Sequence, residues 1–492
     1  MSTKAVILVS LILLLSTSQG SSSDRVGGSS NEMVVSSCLE KIRDSPEELR
    51  AFFLSMPKGG DIHNHLPGAV YAEGLIDRAS SEGMCIYLNN YSLSKDCSMS
   101  DKTVPVSQSY RDPNLYDRLV DDWSMKESEY LNVSGHDHFF ATFFAFGGAT
   151  DNTSALVAEL RSRAASENVD YLELMTDTEG ASEASRLGSG LGWDDNLTRF
   201  YEALSSHGLK GIARNASLYL NSSDARSLEI LRNRGDPGSN VTVRYLYAAL
   251  RTRPKQEVFA QLALAFEVAR ISPLVVGINL LGPEDDWVAR ENYSLQMKMI
   301  DFLHGRYPDV KIALHAGELD LGLVPPEDLR FHIQEAVEVG HASRIGHGVD
   351  IMRETRSKET LSEMARSKLA VEIMPMSNEE ILGVHGEDHP FPVYLSRGVP
   401  IVLASDDPGV LRTDLTEQFV IIAHTYPQVS YSDFKRFARN SLEYSFLDGE
   451  GIWASVGEYS LLRREFAGCK PGAETGAIRE FLEMNDKARA EW

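Results

Sequence analysis

The stretch KIALHAGE at residues 311–318 is an apolar run that ends in a histidine and, three positions later, a glutamate. A short apolar run that ends in polar residues predicts a buried strand. In an α/β barrel, residues at the carboxyl ends of the strands face the mouth, where the chemistry takes place. We therefore expect His315 and Glu318 to lie at the mouth of such a barrel.

Three other stretches have the same form, since each is a predicted strand that ends in histidine or aspartate. They are DIHNH at 61–65, RIGHG at 344–348 and LASDDP at 403–408. Counted from Asp61, eight strand units alternate with helical patterns, which predicts a (β/α)₈ TIM barrel rather than a doubly wound sheet. The predicted strands are 61–65, 169–174, 241–250, 274–281, 311–315, 344–347, 370–375 and 400–404.

The first twenty residues have the pattern of a secretory signal peptide: Lys4, an apolar run over 5–15, and then small polar residues. The apolar run is too short to span a bilayer. We therefore predict a secreted, extracellular protein. Eight Asn-x-Ser/Thr acceptor sites support a secreted glycoprotein: Asn90, Asn132, Asn152, Asn196, Asn215, Asn221, Asn240 and Asn292.

The rest of the chain divides into an N-terminal linker and helix at 21–54, a barrel at 55–480 and a tail at 481–492. Ser/Gly-rich composition predicts a linker up to about residue 35. Within the barrel, 85–135 is polar and contains two prolines and two cysteines, which predicts an insertion after the first strand.

Four cysteines, Cys38, Cys85, Cys97 and Cys469, fit an oxidising compartment and allow three pairings. We favour Cys85–Cys97, which closes a small polar loop, and this leaves Cys38–Cys469 as a tie between the termini. Cys-x-x-Cys spacing is absent, which excludes a thiolate zinc site of that type. The formal net charge of −23 argues against nucleic acid or an anionic membrane as partner.

The chemistry begins with His63 and His65, which share one face of a strand because side chains alternate. His315 adds a third nitrogen and Asp406 a carboxylate oxygen, leaving a position open for water, as in catalytic zinc sites. Strand 274–281 contains no lysine that could bridge two metals after carbamylation, so we expect one zinc ion.

Glu318 lies close enough in sequence to His315 to transfer protons near a metal-bound water. His347 stands between two glycines, which we expect to allow close approach of substrate or water. Asp406 and Asp407 are adjacent and so point in different directions, one toward the metal and one toward a ligand. The alternative is that residues 405–408 cap a helix.

Together, residues 56–65, 315–318, 345–348 and 405–408 resemble the adenosine deaminase family of metal-dependent hydrolases, in the same order along the chain. The signal peptide, the acceptor sites and the cysteine-bearing insertion resemble its secreted growth-factor branch. The resemblance implies a deaminase with one Zn²⁺ per subunit. Its ligands would be His63, His65, His315 and Asp406.

The resemblance also implies the roles of the residues around the zinc. Glu318 donates a proton to N1 of a purine nucleoside while water attacks C6, and His347 and Asp406 orient and deprotonate that water. Asp407 hydrogen-bonds N7, and the backbone N–H of Gly282 meets N3. The implied reaction converts adenosine or 2′-deoxyadenosine into the 6-oxo purine and ammonia.

One position departs from the family pattern. Pro67 stands where family members have an aspartate that reaches the ribose, so ribose recognition falls to the insertion or Trp123, or the substrate is another 6-aminopurine. A related amidohydrolase activity is a second possibility. A third is a growth-factor-like glycoprotein that uses the barrel as a scaffold for a cell-surface receptor. A homodimer is also left open.

Overall fold

A computed structural model describes residues 30–98, 102–128, 133–176, 179–457 and 459–492 of the chain. Eight parallel strands form its central sheet, in the order β1, β5, β6, β7, β8, β9, β10, β11. They are β1 (Gly59–His65), β5 (Val169–Thr176), β6 (Thr242–Leu250), β7 (Val275–Leu281), β8 (Lys311–Ala316), β9 (Arg344–His347), β10 (Ala370–Ile373) and β11 (Ile401–Leu403).

The sheet closes on itself where the chain after β11 meets β1. Asp406 N–H donates to the carbonyl of His63 at 3.0 Å, and His65 N–H donates to the carbonyl of Asp406 at 2.8 Å. The predicted (β/α)₈ TIM barrel is therefore confirmed. This closure also places the predicted ligands of β1 directly beside Asp406.

Helices follow the strands and cover the outside of the barrel, where their apolar faces pack on the sheet. They are α1 (Ser30–Ile42), α2 (Pro46–Ser55), α3 (Ala72–Ser81), α4 (Pro113–Asp122), α5 (Gly135–Phe146), α6 (Thr153–Ser166), α7 (Ala181–Leu191), α8 (Leu197–Ser206), α9 (Leu209–Arg234), α10 (Lys255–Ile271), α11 (Trp287–Arg306), α12 (His332–Glu338), α13 (Ser357–Ser367), α14 (Pro375–Leu382), α15 (Phe391–Arg397), α16 (Leu415–Thr425), α17 (Tyr431–Glu443), α18 (Gly476–Met484) and α19 (Asp486–Glu491). In the described part of the chain, every helix is too short or too polar to span a bilayer.

The described part of the N-terminal segment begins with a helix. The predicted linker up to about residue 35 is already helical from Ser30, where α1 begins. A second helix, α2, starts at Pro46, and the side chain of Ser45 before it accepts a hydrogen bond from the N–H of Glu48. The predicted signal peptide, residues 1–20, and the acceptor Asn132 lie outside the described residues.

The insertion contains the predicted disulfide Cys85–Cys97, which is confirmed. It folds as a small antiparallel sheet of β2 (Cys85–Tyr87), β3 (Leu93–Ser94) and β4 (Thr103–Pro105), followed by α4. The predicted tie between the termini is wrong, because Cys38 and Cys469 are both free thiols. The insertion follows the first strand, as predicted, with α3 between the two.

Candidate active site

The predicted metal ligands come together at the mouth of the barrel. Nε2 of His315 lies 3.1 Å from Nε2 of His63 and 3.1 Å from Nε2 of His65. Oδ1 of Asp406 lies 3.3 Å from Nε2 of His63 and 3.2 Å from Nε2 of His65. His63, His315 and Asp406 are at most 4% exposed. The four side chains form a cluster that can hold a metal ion.

Two neighbouring side chains, neither of them predicted from the sequence, orient the histidine rings. Nδ1–H of His63 donates to Glu372 on β10 at 2.6 Å, and Nδ1–H of His315 donates to Asn279 on β7 at 2.8 Å. Each ring therefore presents the lone pair of its Nε2 to the centre of the cluster. A charged residue inside the apolar strand 370–373 was the available signal for Glu372.

His347 and Asp406 share two unusual features. Their φ angles are 68° and 66°, a left-handed conformation that residues other than glycine rarely adopt. Nε2 of His347 and Oδ1 of Asp406 are also buried atoms without a hydrogen-bond partner among the described residues. Burial lowers the pKa of His347 to about 3. Both side chains thus present unpaired polar atoms to the same space.

Glu318 lies beside these two residues, with its Oε1 3.6 Å from Nε2 of His347. Burial, reinforced by the charge of Asp406, raises the pKa of Glu318 well above its ordinary value, which favours the protonated acid. The buried carboxylate of Glu284 fixes the backbone here, accepting the N–H of Gly317 at 3.1 Å and that of Glu318 at 2.9 Å. Glu284 in turn accepts from Nδ1–H of His332 at 2.6 Å.

Asp407 lies outside the metal cluster, with its carboxyl group against the turn after β1. A Cβ placed on Gly68 would approach Oδ1 of Asp407 to 1.8 Å, so only glycine fits beneath this carboxyl group. Burial raises the pKa of Asp407 to about 7, and its Oδ1 is a buried atom without a hydrogen-bond partner. Adjacent aspartates thus do point in different directions, as predicted.

The cluster opens into a cavity of about 610 Å³. Its lining includes the predicted Gly282, Pro67 and one basic side chain, Arg253. The most prominent wall is aromatic and belongs to α5: Phe139, Phe140, Phe143, Phe144 and Phe146. These phenylalanines therefore line the site, and all except Phe144 also pack against the core.

Several expectations for individual residues are wrong. Trp123 is fully buried and donates its Nε1–H to the carbonyl of Tyr91, so it does not reach the cavity. Among the residues that the structure describes, the insertion 85–135 contributes none to the lining. The glycines around His347 make room for protein rather than substrate: a Cβ on Gly346 would lie 2.5 Å from the His63 ring. A Cβ on Gly348 would meet the Tyr394 hydroxyl at 2.4 Å.

The neighbouring elements bear on residues 405–408 and on two buried histidines. Residues 405–408 do not cap a helix, because the next helix, α16, begins at Leu415 and is capped by Asp414. The α-helix that follows β8, α12, starts at His332. His332 and His389 are buried in hydrogen-bond networks that lead to the site.

Comparison with known proteins agrees with this geometry. The family model for adenosine deaminase matches residues 138–453. An adenosine deaminase of Clostridium perfringens is 25% identical over 398 residues, which cover 81% of this chain and 96% of the relative. An adenine deaminase of Zymomonas mobilis is 30% identical over 154 residues, 31% of this chain and 42% of the relative.

The fold also matches a solved structure. The crystal structure of Arabidopsis ADAL complexed with IMP superimposes with a TM-score of 0.50 at 18% identity, covering 80% of this chain and 93% of the other. Fold and site define a metal-dependent hydrolase of the TIM-barrel type. The chain belongs to the adenosine deaminase family, since the family model spans more than half of it. It is therefore a hydrolase that acts on carbon–nitrogen bonds.

Proposed function

We propose that this protein is a secreted, zinc-dependent deaminase that converts adenosine or 2′-deoxyadenosine into inosine or 2′-deoxyinosine and ammonia. The observation that carries the proposal is the convergence of three imidazole nitrogens and the Asp406 carboxylate beside Glu318 and His347. Asp406 belongs both to the metal cluster and to the group that it forms with Glu318 and His347. The metal ligands and the acid–base groups therefore face one reacting position.

The donor set fits zinc. Tetrahedral zinc with Zn–N bonds of about 2.0–2.1 Å places its nitrogens about 3.3 Å apart, and His315 lies 3.1 Å from each of the other two histidines. Because Nδ1 of His63 and of His315 donate to neighbours, their two Nε2 atoms face each other inside the cluster, an arrangement that suits a cation between them. Bound zinc supplies Lewis acidity and brings the pKa of a coordinated water to near 7.

The chain's own residues supply proton transfer and recognition. Protonated Glu318 donates to N1 of the purine, which makes C6 electrophilic. N7 is a hydrogen-bond acceptor, so the protonated form of Asp407 serves it, and the raised pKa supports that form. The N–H of Gly282, at the cavity wall, is available to N3. Water reaches C6 on the side of His347 and Asp406.

A second candidate substrate is a different 6-aminopurine. Pro67 lies in the cavity lining in place of a ribose-binding aspartate, and the aromatic wall of α5 offers apolar contact instead. Such a wall accommodates an apolar substituent on the purine better than it accommodates the hydroxyl groups of a ribose. Arg253, the one Lys or Arg among the described lining residues, provides a single charge for a phosphate.

Secretion is part of the proposal and rests on three observations. The apolar N-terminal segment has the pattern of a signal peptide. The Cys85–Cys97 disulfide fits an oxidising compartment. The acceptor asparagines 90, 152, 196, 215 and 240 are exposed, as glycosylation requires. When the full-length chain, including residues 1–20, is expressed in a eukaryotic host, cleaved and glycosylated protein should appear in the medium. Retention of the protein in the cytosol would contradict the proposed secretion.

The activity is tested by ultraviolet absorbance with zinc-loaded protein and a panel of adenosine, 2′-deoxyadenosine, adenine, AMP and N6-methyladenosine. We expect adenosine and its 2′-deoxy analogue to be converted, with ammonia released in equal amount and activity lost after chelation. Preference for another member of the panel would move the proposal to that 6-aminopurine. Zinc-loaded, folded protein that converts none of them would contradict the proposed activity.

A further inference from the structure

His347 belongs to a chain of hydrogen bonds that leads from the site to a backbone N–H group. The N–H of Phe391 donates to Nδ1 of His389 at 3.0 Å. Nε2 of His389 lies 2.9 Å from Oδ1 of Asn378, and Nδ2 of Asn378 lies 3.0 Å from Nδ1 of His347. All four residues are at most 4% exposed, so each contact needs a donor and an acceptor from the protein.

The backbone group sets the direction of the whole chain, because a peptide N–H only donates. Nδ1 of His389 therefore accepts, and the ring carries its proton on Nε2, which donates to Oδ1 of Asn378. Burial lowers the pKa of His389 to about 4, so the ring is neutral at neutral pH and has only this one proton. The amide of Asn378 then directs its N–H toward Nδ1 of His347.

We infer that Asn378 and His389 are positioning residues that hold His347 in the tautomer with its proton on Nε2. In this tautomer His347 donates a hydrogen bond into the site and does not take up a proton there. The opposite tautomer would require Nδ1 of His389 to carry a proton, which would then face the N–H of Phe391. The buried, unpartnered Nε2 of His347 is thus a donor aimed at the reacting position.

This inference rests on the proposed function and gives Asp406 and His347 different roles in the reaction. As the water oxygen bonds to C6, its proton goes to the carboxylate of Asp406. The Nε2–H of His347 donates to the same oxygen and stabilises the negative charge that develops on it.

The tautomer is measured directly by nitrogen NMR of the metal-loaded protein labelled with ¹⁵N at histidine, with His347→Gln to assign the signals. We expect a protonated Nε2 and an unprotonated Nδ1 for His347. A protonated Nδ1 would overturn the inference. The spectrum does not depend on turnover, so inactive protein with a protonated Nε2 would count only against the proposed function.

Two variants separate proton placement from packing. Asn378→Asp keeps the shape of the side chain but replaces the N–H donor that faces His347 with a carboxylate acceptor. Asn378→Ala removes both the donor and the acceptor of the amide. We expect kcat of the aspartate variant to fall by at least about 100-fold relative to wild type, with KM nearly unchanged, because the wrong histidine tautomer slows the reaction. The alanine variant should lose less kcat than the aspartate variant. A larger loss in the alanine variant would show that Asn378 acts through packing and would contradict the inference.

Discussion

Glu372 accepts a hydrogen bond from Nδ1 of His63 at 2.6 Å while its other carboxylate oxygen pairs with the buried guanidinium of Arg344. The histidine is thereby fixed with its Nε2 lone pair toward the metal ligands. Because Arg344 also pairs with Glu173 on β5, three strands of the barrel hold this one imidazole ring in place. Carboxylate partners of this kind raise the basicity of the ligand and define its orientation.

Glu372→Gln tests that relationship. The variant keeps the size of the side chain but loses the charge that faces the His63 ring, so we expect the zinc dissociation constant to rise by about 10–100-fold. Competition with a chromogenic chelator measures it. Glu363→Gln, the same change on the exposed surface of α13, serves as control. Equal zinc affinity in both folded variants would contradict the role of Glu372.

Gly346→Ala should displace a metal ligand without touching the metal directly. The added Cβ would lie 2.5 Å from Cε1 of His63, a distance that forces the ring to move. We expect loss of bound zinc, measured by elemental analysis, with the barrel still folded by circular dichroism. Gly305→Ala is the matched control, since its Cβ meets nothing within 4 Å. That control lies in α11 and should be stabilised by up to about 1 kcal/mol.

Glu354 should make the stability of the protein fall with rising pH. Burial raises its pKa from 4.5 to about 7. In the unfolded chain the carboxyl ionises first, so the stabilising contribution is complete below pH 4.5 and is lost as the pH rises through about 7. The slope is at most about 1.4 kcal/mol per pH unit.

Urea unfolding of wild type and Glu354→Gln over this pH range measures the effect. The glutamine cannot ionise, so the stability of the variant relative to wild type should rise from pH 4.5 to 7. A difference that stays constant across the range would show that Glu354 does not titrate in this window.

Removal of the disulfide tests the structure of the insertion. Replacement of Cys85 and Cys97 by serine opens a loop with a sequence separation of 12 residues and should cost about 2–4 kcal/mol of unfolding free energy. Thermal unfolding and proteolysis between residues 85 and 135 report it. Cys38→Ser, at a free thiol, should leave both unchanged. Unchanged proteolysis in the double variant would argue that packing alone holds the insertion.

The barrel and its metal cluster could be predicted because both depend on short stretches of sequence. Apolar strands that end in histidine or aspartate, such as 311–318, combine the strand signal and the chemistry within a few residues. The residues that support the cluster were missed because each is a single polar residue in an apolar strand. The partners of Glu372 and Asn279 become visible only once distant strands are paired.

Helix boundaries, and helices without an apolar stripe, could also not be predicted from the sequence. The 26-residue helix α9 is mostly polar and contains two acceptor sites, so its periodicity is weak. A proline pair such as that at 325–326 is typical of a helix start, but the chain forms a separate turn there, and α12 begins only at His332. His332 itself is drawn into the core by its hydrogen bond to Glu284, a contact made across 48 residues.

The most direct test of the account is the deamination of adenosine by zinc-loaded wild type and Glu318→Gln, with zinc content measured in both. We predict one zinc per chain in each, and a fall in kcat of at least about 100-fold in the variant because the acid that protonates the purine is lost. Glu318→Gln protein that deaminates adenosine at the wild-type rate would contradict the account.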